Sequence, residues 1–323
     1  AFFEEVAKYW ISEYNIDGWR LDQCYQTGAY GDGTYTGGHN YWNEIRQAVE
    51  YASNQNKAQG DEWGTLGYMV GECWQGDASA IQGMVVAGDG LRSCFDFPGR
   101  YNIVQTFAQS ESGSSGESLG DALSYIYKTG SEKGYYHSDG YYPNLFITNH
   151  DVLRFGNLIN WNEGINTSSS RYWGLHRVAL ASLIAYTGPV TVYYGDEWGA
   201  YVDGYYANGD NGWYNDNVAR SAGKISGFNS NEEELHDFVQ SMLQARAENE
   251  AIWNGSNQTL VAENSFYVSK KTTDDETVYV VINSGSSSRS YNVGSAGTDL
   301  ISGDATSSTV SVDGYDAMYI KVN

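Results

Sequence analysis

The stretch Ile16-Asp17-Gly18-Trp19-Arg20-Leu21-Asp22 decides how the chain is read. Ile16, Trp19 and Leu21 make a short apolar run that suits a buried strand. Arg20 and Asp22 are two positions apart, so their side chains leave the same side of that strand. A guanidinium next to a carboxyl favours the ionised carboxylate at neutral pH. An ionised, oriented carboxylate at the C-terminal end of a strand is what a covalent carboxylate nucleophile requires. The same two residues also make a plain structural ion pair. These seven residues leave both readings open, and the surrounding chain separates them.

Working outward, strands and helices alternate. Residues 1–14 have helical apolar spacing and lead into the quoted strand. Residues 39–55 read as a helix and 65–72 as a second strand ending in Glu72. A short helix near 78–86 follows, then a third strand over 93–97 and a helix from about 100 to 109. Residues 118–129 are helical, and 145–151 form a fourth strand ending in Asn149-His150-Asp151. An apolar helix over 171–187 precedes a fifth strand, Pro189–Asp196. Residues 230–249 form an acidic helix. Near residue 254 the composition changes to short β-rich segments separated by Gly, Ser and Asp turns. The domains are therefore 1–254 and 255–323, the second an all-β antiparallel sandwich.

Alternating strand and helix with apolar strands means α/β architecture with a parallel sheet covered by helices. Polar residues gather at the C-terminal end of strand after strand, as in a (β/α)8 TIM barrel. Five tilted parallel strands do not close a barrel. Either the sheet is open and doubly wound, or this is a partial (β/α)8 barrel, strands 4–8, with about three βα units missing upstream, which the uncapped start of the first helix favours.

The composition excludes several function classes. A formal net charge of −22 opposes binding to nucleic acid or to an anionic membrane surface. No apolar stretch is long enough to span a bilayer. Cys24, Cys73 and Cys94 follow no zinc spacing and are too few for a disulfide scaffold, so buried thiols with at most one bridge are expected. With 28 Tyr and 10 Trp, many in Gly/Asp/Asn-rich loops, the chain has surfaces suited to sugars, although hairpin and core packing use tyrosine too.

Asp22, Glu72 and Asp151 all end strands. At roughly 30–40 residues per βα unit, their spacing fits one unit and then two, so all three can converge on one barrel mouth. Two carboxylates facing each other across a sugar ring carry out glycoside hydrolysis. Asp22, paired with Arg20, stays charged. Glu72, within Val70-Gly71-Glu72-Cys73-Trp74, has apolar neighbours that favour a retained proton. His150 offers donors to sugar hydroxyls.

With these residues in order, the chain resembles the C-terminal two-thirds of an α-amylase-family glycoside hydrolase. Gly18-Trp19-Arg20-Leu21-Asp22 matches the family's strand-four motif, and Val70-Gly71-Glu72 its strand-five motif. Thr148-Asn149-His150-Asp151, with Arg154 three residues on, matches strand seven. Phe95-Asp96-Phe97-Pro98 resembles strand six. Gly188-Pro189-Val190-Thr191-Val192-Tyr193-Tyr194-Gly195-Asp196-Glu197 resembles strand eight, one residue tighter at its start.

The resemblance implies a retaining hydrolase acting on α-1,4-linked glucans such as starch, glycogen or maltooligosaccharides. Asp22 would be the nucleophile, Glu72 the general acid/base and Asp151 the transition-state stabiliser. Arg20 and His150 would flank the sugar at the cleavage point. Trp74 and loop tyrosines such as Tyr25 are candidates for stacking on glucose, while Trp19 is expected to face the helices. Asp196 and Glu197 are expected to be structural, or at most at the edge of the substrate site. Many members carry Lys-His three and four residues after the nucleophile, serving an acceptor subsite and a calcium site. Tyr25 and Gln26 stand there in this chain, so no cofactor is assured and calcium is only optional. The Trp in Gly-Trp-Arg-Leu-Asp is similar to neopullulanase and cyclomaltodextrinase types. A transglycosylase on the same site, or a non-catalytic relative, are the alternatives. The implied location is extracellular or periplasmic. The implied partners are an α-glucan and an N-terminal barrel segment, from the same precursor or another chain, without which residues 1–323 are expected to be inactive.

Overall fold

The computed structural model describes residues 2–24, 39–74, 81, 90–128, 142–203 and 218–322. The chain divides into two compact units, residues 1–98 with 133–144, and residues 99–132 with 145–323.

In the first unit, helix α1 (Phe2–Tyr14) leads into strand β1 (Gly18–Leu21), and helix α2 (His39–Gln59) precedes strand β2 (Tyr68–Gly71). The two helices pack on each other. The strands run parallel, with Gly18 opposite Tyr68 and Leu21 opposite Gly71. Gly18 has a physical reason to be glycine: a Cβ there would lie 1.8 Å from the carbonyl oxygen of Tyr68. Ile11, Ile45, Val49 and Met69 form the core that joins helices to strands. Trp19 packs against this core and donates its indole N–H to the carbonyl of Ala7 (3.1 Å), so it faces the helices as its sequence position suggests. Asp17 Oδ1 accepts from the backbone N–H of Thr65 (2.9 Å), which turns residues 65–67 into a cap and shortens the second strand to four residues.

Two single-residue parallel bridges, Gly71 with Cys94 and Phe95 with Asn144, continue the parallel pattern. The expected third strand shrinks to these two residues because helix α3 (Phe97–Phe107) begins at once. Pro98 fits its first turn, where the missing N–H has no intrahelical partner to lose.

The second unit holds most of α3, then α4 (Leu119–Ile126), β3 (Leu145–Phe146), α5 (Phe155–Glu163), α6 (Ser170–Ile184) and β4 (Val190–Thr191). A single 3-10 turn over Asp196–Trp198 precedes α7 (Ser230–Glu248) and α8 (Glu250–Trp253). Strands β3 and β4 are parallel. Helix α6 is buried over nearly its whole circumference, in keeping with its continuous apolar sequence. Helix α7 begins with a capping box between Asn229 and Glu232.

The described parallel pairings follow the expected strand order, β1 with β2, Gly71 with Cys94, Phe95 with Asn144 and β3 with β4, but each ladder is shorter than the sequence suggests. The fourth and fifth strands are shorter than the sequence suggests because their ends are extended yet bonded differently. The Asn149 side chain, for example, takes the N–H groups of Asp151 (2.8 Å) and Val152 (3.1 Å). Such side-chain bonds offer the backbone an alternative to the ladder.

From Ser256 the chain is antiparallel β-structure. The strands are β5 (Ser256–Ala262), β6 (Phe266–Thr272), β7 (Thr277–Asn283), β8 (Arg289–Asn292), β9 (Gly297–Asp299), β10 (Ala305–Thr306), β11 (Thr309–Val312) and β12 (Asp316–Val322). Six form a sheet in the order β10-β9-β12-β7-β6-β5, and β8 pairs with β11. Alternate residues serve two cores. Phe266, Val268, Val281 and Ile320 meet Val310 and Val312 of the β8–β11 pair, which makes a two-layer module. Tyr267, Val278, Val280, Ile282 and Tyr319 join the core around α6, and the Tyr319 hydroxyl donates to the carbonyl of Ala181 (2.6 Å). Phe266, Tyr267 and Tyr319 of the module are thus buried in these cores. No described helix is long and apolar enough to cross a membrane.

Candidate active site

Asp22 and Glu72 each follow directly on a strand, and β1 and β2 are neighbours. Arg20 serves both acids. Its Nη1 donates to Asp22 Oδ1 (2.7 Å), and its Nη2 lies 3.6 Å from Glu72 Oε2. The two carboxylates nevertheless live in different surroundings. The Asp22 side chain is 72% exposed and that of Glu72 is 4% exposed. One carboxylate faces solvent while the other is enclosed, which is the kind of asymmetry that separates two acids into two chemical roles.

The apolar setting expected for Glu72 is only part of what it meets. Its Oε2 accepts the backbone N–H of Gln23 (2.9 Å), besides facing Arg20. Cys24, Cys73 and Cys94 are buried and none forms a disulfide. Burial pushes the Cys73 thiol up to about 12 and that of Cys94 well above its ordinary value, so both are neutral. Trp74, two residues beyond Glu72, is partly exposed and stacks on Phe97 at 5.0 Å between centroids. Tyr25, the other aromatic proposed for substrate contact, lies outside the described residues, as does its neighbour Gln26.

In the second unit, β3 leads into the Thr148–Asp151 segment. His150 Nε2 contacts Asp151 Oδ2 (3.0 Å), and Arg220 Nη2 donates to Asp151 Oδ1 (2.7 Å). Both oxygens of this carboxylate are therefore held. Arg220 Nε also donates to the carbonyl of His150 (2.9 Å). No motif in the sequence points to Arg220. It lies 69 residues from Asp151 in a Gly/Asn/Tyr-rich loop, and its being the sole arginine of that loop was the one available cue.

Arg154 explains how Arg220 is placed. It is fully buried and donates to the carbonyls of Tyr194 (2.8 Å), Val218 (3.2 Å) and Ala219 (3.1 Å) and to Ser221 Oγ (3.0 Å). The segment carrying Arg220 is thereby sewn to the end of the strand-eight motif. Gly195 has φ +99°, and a Cβ there would sit 2.4 Å from Arg154 Nη1. The Tyr-Tyr-Gly-Asp letters are thus shaped around a buried guanidinium. Beneath the same segment, Arg100 Nε donates to the carbonyl of Ile147 (2.7 Å), and its two Nη atoms engage both oxygens of buried Glu111.

Asp196 is buried. Burial pushes its carboxyl up to about 7, with the Glu197 charge adding and the Thr148 hydroxyl and Arg154 opposing. A carboxyl raised on folding holds a proton that the unfolded chain has already lost. Its stabilising share is complete below the unfolded value near 4 and is lost as pH rises through about 7. Asp196→Asn removes that titration. The expected result is that wild type loses melting temperature relative to D196N between pH 5 and pH 8, by roughly 2–3 kcal/mol of stability. Melting curves that stay parallel across this range would refute the assignment.

Among the described residues, no group of three His, Cys, Asp or Glu is placed to hold a metal ion.

Comparison with known proteins agrees with these motifs. The sequence profile for the alpha-amylase catalytic domain matches residues 2–271. A cyclomaltodextrinase from Thermoanaerobacter pseudethanolicus is 27% identical over 284 residues, covering 87% of this chain and 40% of that protein. A maltogenic alpha-amylase from Bacillus acidopullulyticus is 24% identical over 295 residues, covering 89% and 40%. The chain thus spans about 40% of the length of these curated relatives. The crystal structure of AmyP in complex with maltose is similar with a TM-score of 0.82 at 28% identity, over 99% of this chain and 67% of that one.

Proposed function

The chain belongs to the alpha-amylase family of glycoside hydrolases, and from that premise we propose that it cleaves α-1,4-glucosidic bonds of glucans with retention of anomeric configuration. The observation that carries the reading is the unequal pair on Arg20: exposed Asp22 and enclosed Glu72 sharing one guanidinium. In the first step an Asp22 oxygen bonds to the anomeric carbon, the glycosidic C–O bond breaks, and Glu72 gives its proton to the departing sugar oxygen. In the second, water attacks the same carbon, Glu72 takes the water's proton, and the Asp22 ester bond breaks. Asp151, oriented by His150 and Arg220, accepts hydroxyls of the reacting sugar. Trp74 and Tyr25 supply apolar faces for glucose rings.

Two observations support a barrel completed by units ahead of β1. Among the described residues β1 pairs with β2 alone. Helix α1 also leaves Phe2, Phe3, Tyr9 and Tyr14 exposed, an apolar face of the kind that marks a covered surface. A second reading, ring opening of cyclomaltodextrins or transfer to a sugar acceptor, is favoured by the likeness to cyclomaltodextrinases.

The test is proton NMR of the full-length protein acting on maltotriose and on β-cyclodextrin. The first reducing end formed is expected to be the α-anomer. A β-anomer would overturn retention, and no turnover of either sugar would overturn the function. Longer products than the substrate would select transfer.

A further inference from the structure

The turn after β1 does more than end the strand. Every polar group of Glu72 with a partner named above bonds to a residue between Arg20 and Cys24. The Glu72 N–H donates to the carbonyl of Leu21 (2.8 Å), and the Cys24 N–H donates to the carbonyl of Glu72 (2.9 Å). The Cys24 thiol donates to the same carbonyl (3.1 Å), and the Gln23 N–H donates to the carboxylate at Oε2 (2.9 Å). Trp42 of α2 locks the turn from outside, its indole N–H donating to the carbonyl of Cys24 (3.0 Å). Gln23 has φ +42°, a left-handed conformation uncommon outside glycine. That conformation aims the peptide N–H between Asp22 and Gln23 at the carboxylate of Glu72.

We propose that Gln23 and Cys24 are positioning residues for Glu72, so that the backbone following Asp22 fixes where the second acid stands. The Gln23 side chain is not the device; its backbone conformation is. This rests on the assignment of Glu72 as general acid. It makes the spacing of the two acids a local property of four residues rather than of distant packing.

The test compares Gln23→Gly with Gln23→Val in the full-length protein. Both lose the side chain. Glycine accepts the left-handed turn, whereas a β-branched residue disfavours it. Each variant is assayed with maltotetraose, whose leaving sugar needs a proton, and with 2-chloro-4-nitrophenyl α-maltotrioside, whose leaving group scarcely does. Q23G is expected to keep both rates within about twofold. Q23V is expected to lose about tenfold or more on maltotetraose and little on the aryl glycoside, since general-acid catalysis is worth roughly 10²–10⁴. If Q23V does not fold, Trp42→Phe is read by the same two substrates with the same expectation. Equal losses on both substrates, or equal behaviour of Gly and Val, would overturn the proposal. A wild-type protein that turns over neither substrate overturns the function instead.

Discussion

Asp22→Ala is expected to lower kcat by about ten-thousand-fold or more while leaving the melting temperature nearly unchanged. The first expectation follows from removing the atom that bonds to the sugar; losing a nucleophile costs on this scale in other covalent enzymes. The second follows from exposure: a carboxylate 72% open to water stabilises the fold little. Glu72→Ala is expected to lose roughly 10²–10⁴ on unactivated glucans and far less on aryl glycosides. Azide separates the two roles by stereochemistry. With D22A, azide enters from the vacated face and gives the β-glycosyl azide. With E72A, azide attacks the covalent intermediate and gives the α-glycosyl azide. Interchanged products would reverse the assignments, and the same product from both would end the two-carboxylate mechanism.

Glu111→Ala is expected to be the most destabilising single substitution in the second unit. Arg100 is fully buried and Glu111 nearly so, and they bond through both oxygens of the carboxylate. Truncating the acid leaves a guanidinium without a counter-charge in the core, a loss of about 3–5 kcal/mol. For a unit of this size that is a fall of roughly 10 °C in melting temperature. Arg100→Met with Glu111→Met removes both charges and is expected to recover more than half of the loss. Differential scanning calorimetry of the single and double variants decides it; an additive double variant would show that the pair is not coupled. Because Arg100 also holds the carbonyl of Ile147, E111A is expected to loosen the segment that carries Asp151.

Much of the site could be read from the letters because its parts are contiguous. Gly18 to Asp22 occupy five successive positions, and the glycine, the arginine and the acid each have a reason in the structure: clearance at Tyr68, the shared guanidinium, and the exposed carboxylate. Helices α2 and α6 were legible because their apolar spacing survives into buried faces. What was not legible is long-range or conformational. Arg220 reaches Asp151 only because Arg154 ties down its segment, and no periodicity encodes that. The left-handed turn at Gln23 is invisible because glutamine does not advertise positive φ. Strand lengths were over-read because polar strand ends and ladder residues look alike in sequence.

The three thiols have a use of their own. All of them lie buried in the first unit, the Cys24 thiol on the carbonyl of Glu72, and the second unit has none. An alkylating reagent reaches them only when that unit opens. Their labelling rate is therefore a clock for breathing of the half that carries Asp22 and Glu72.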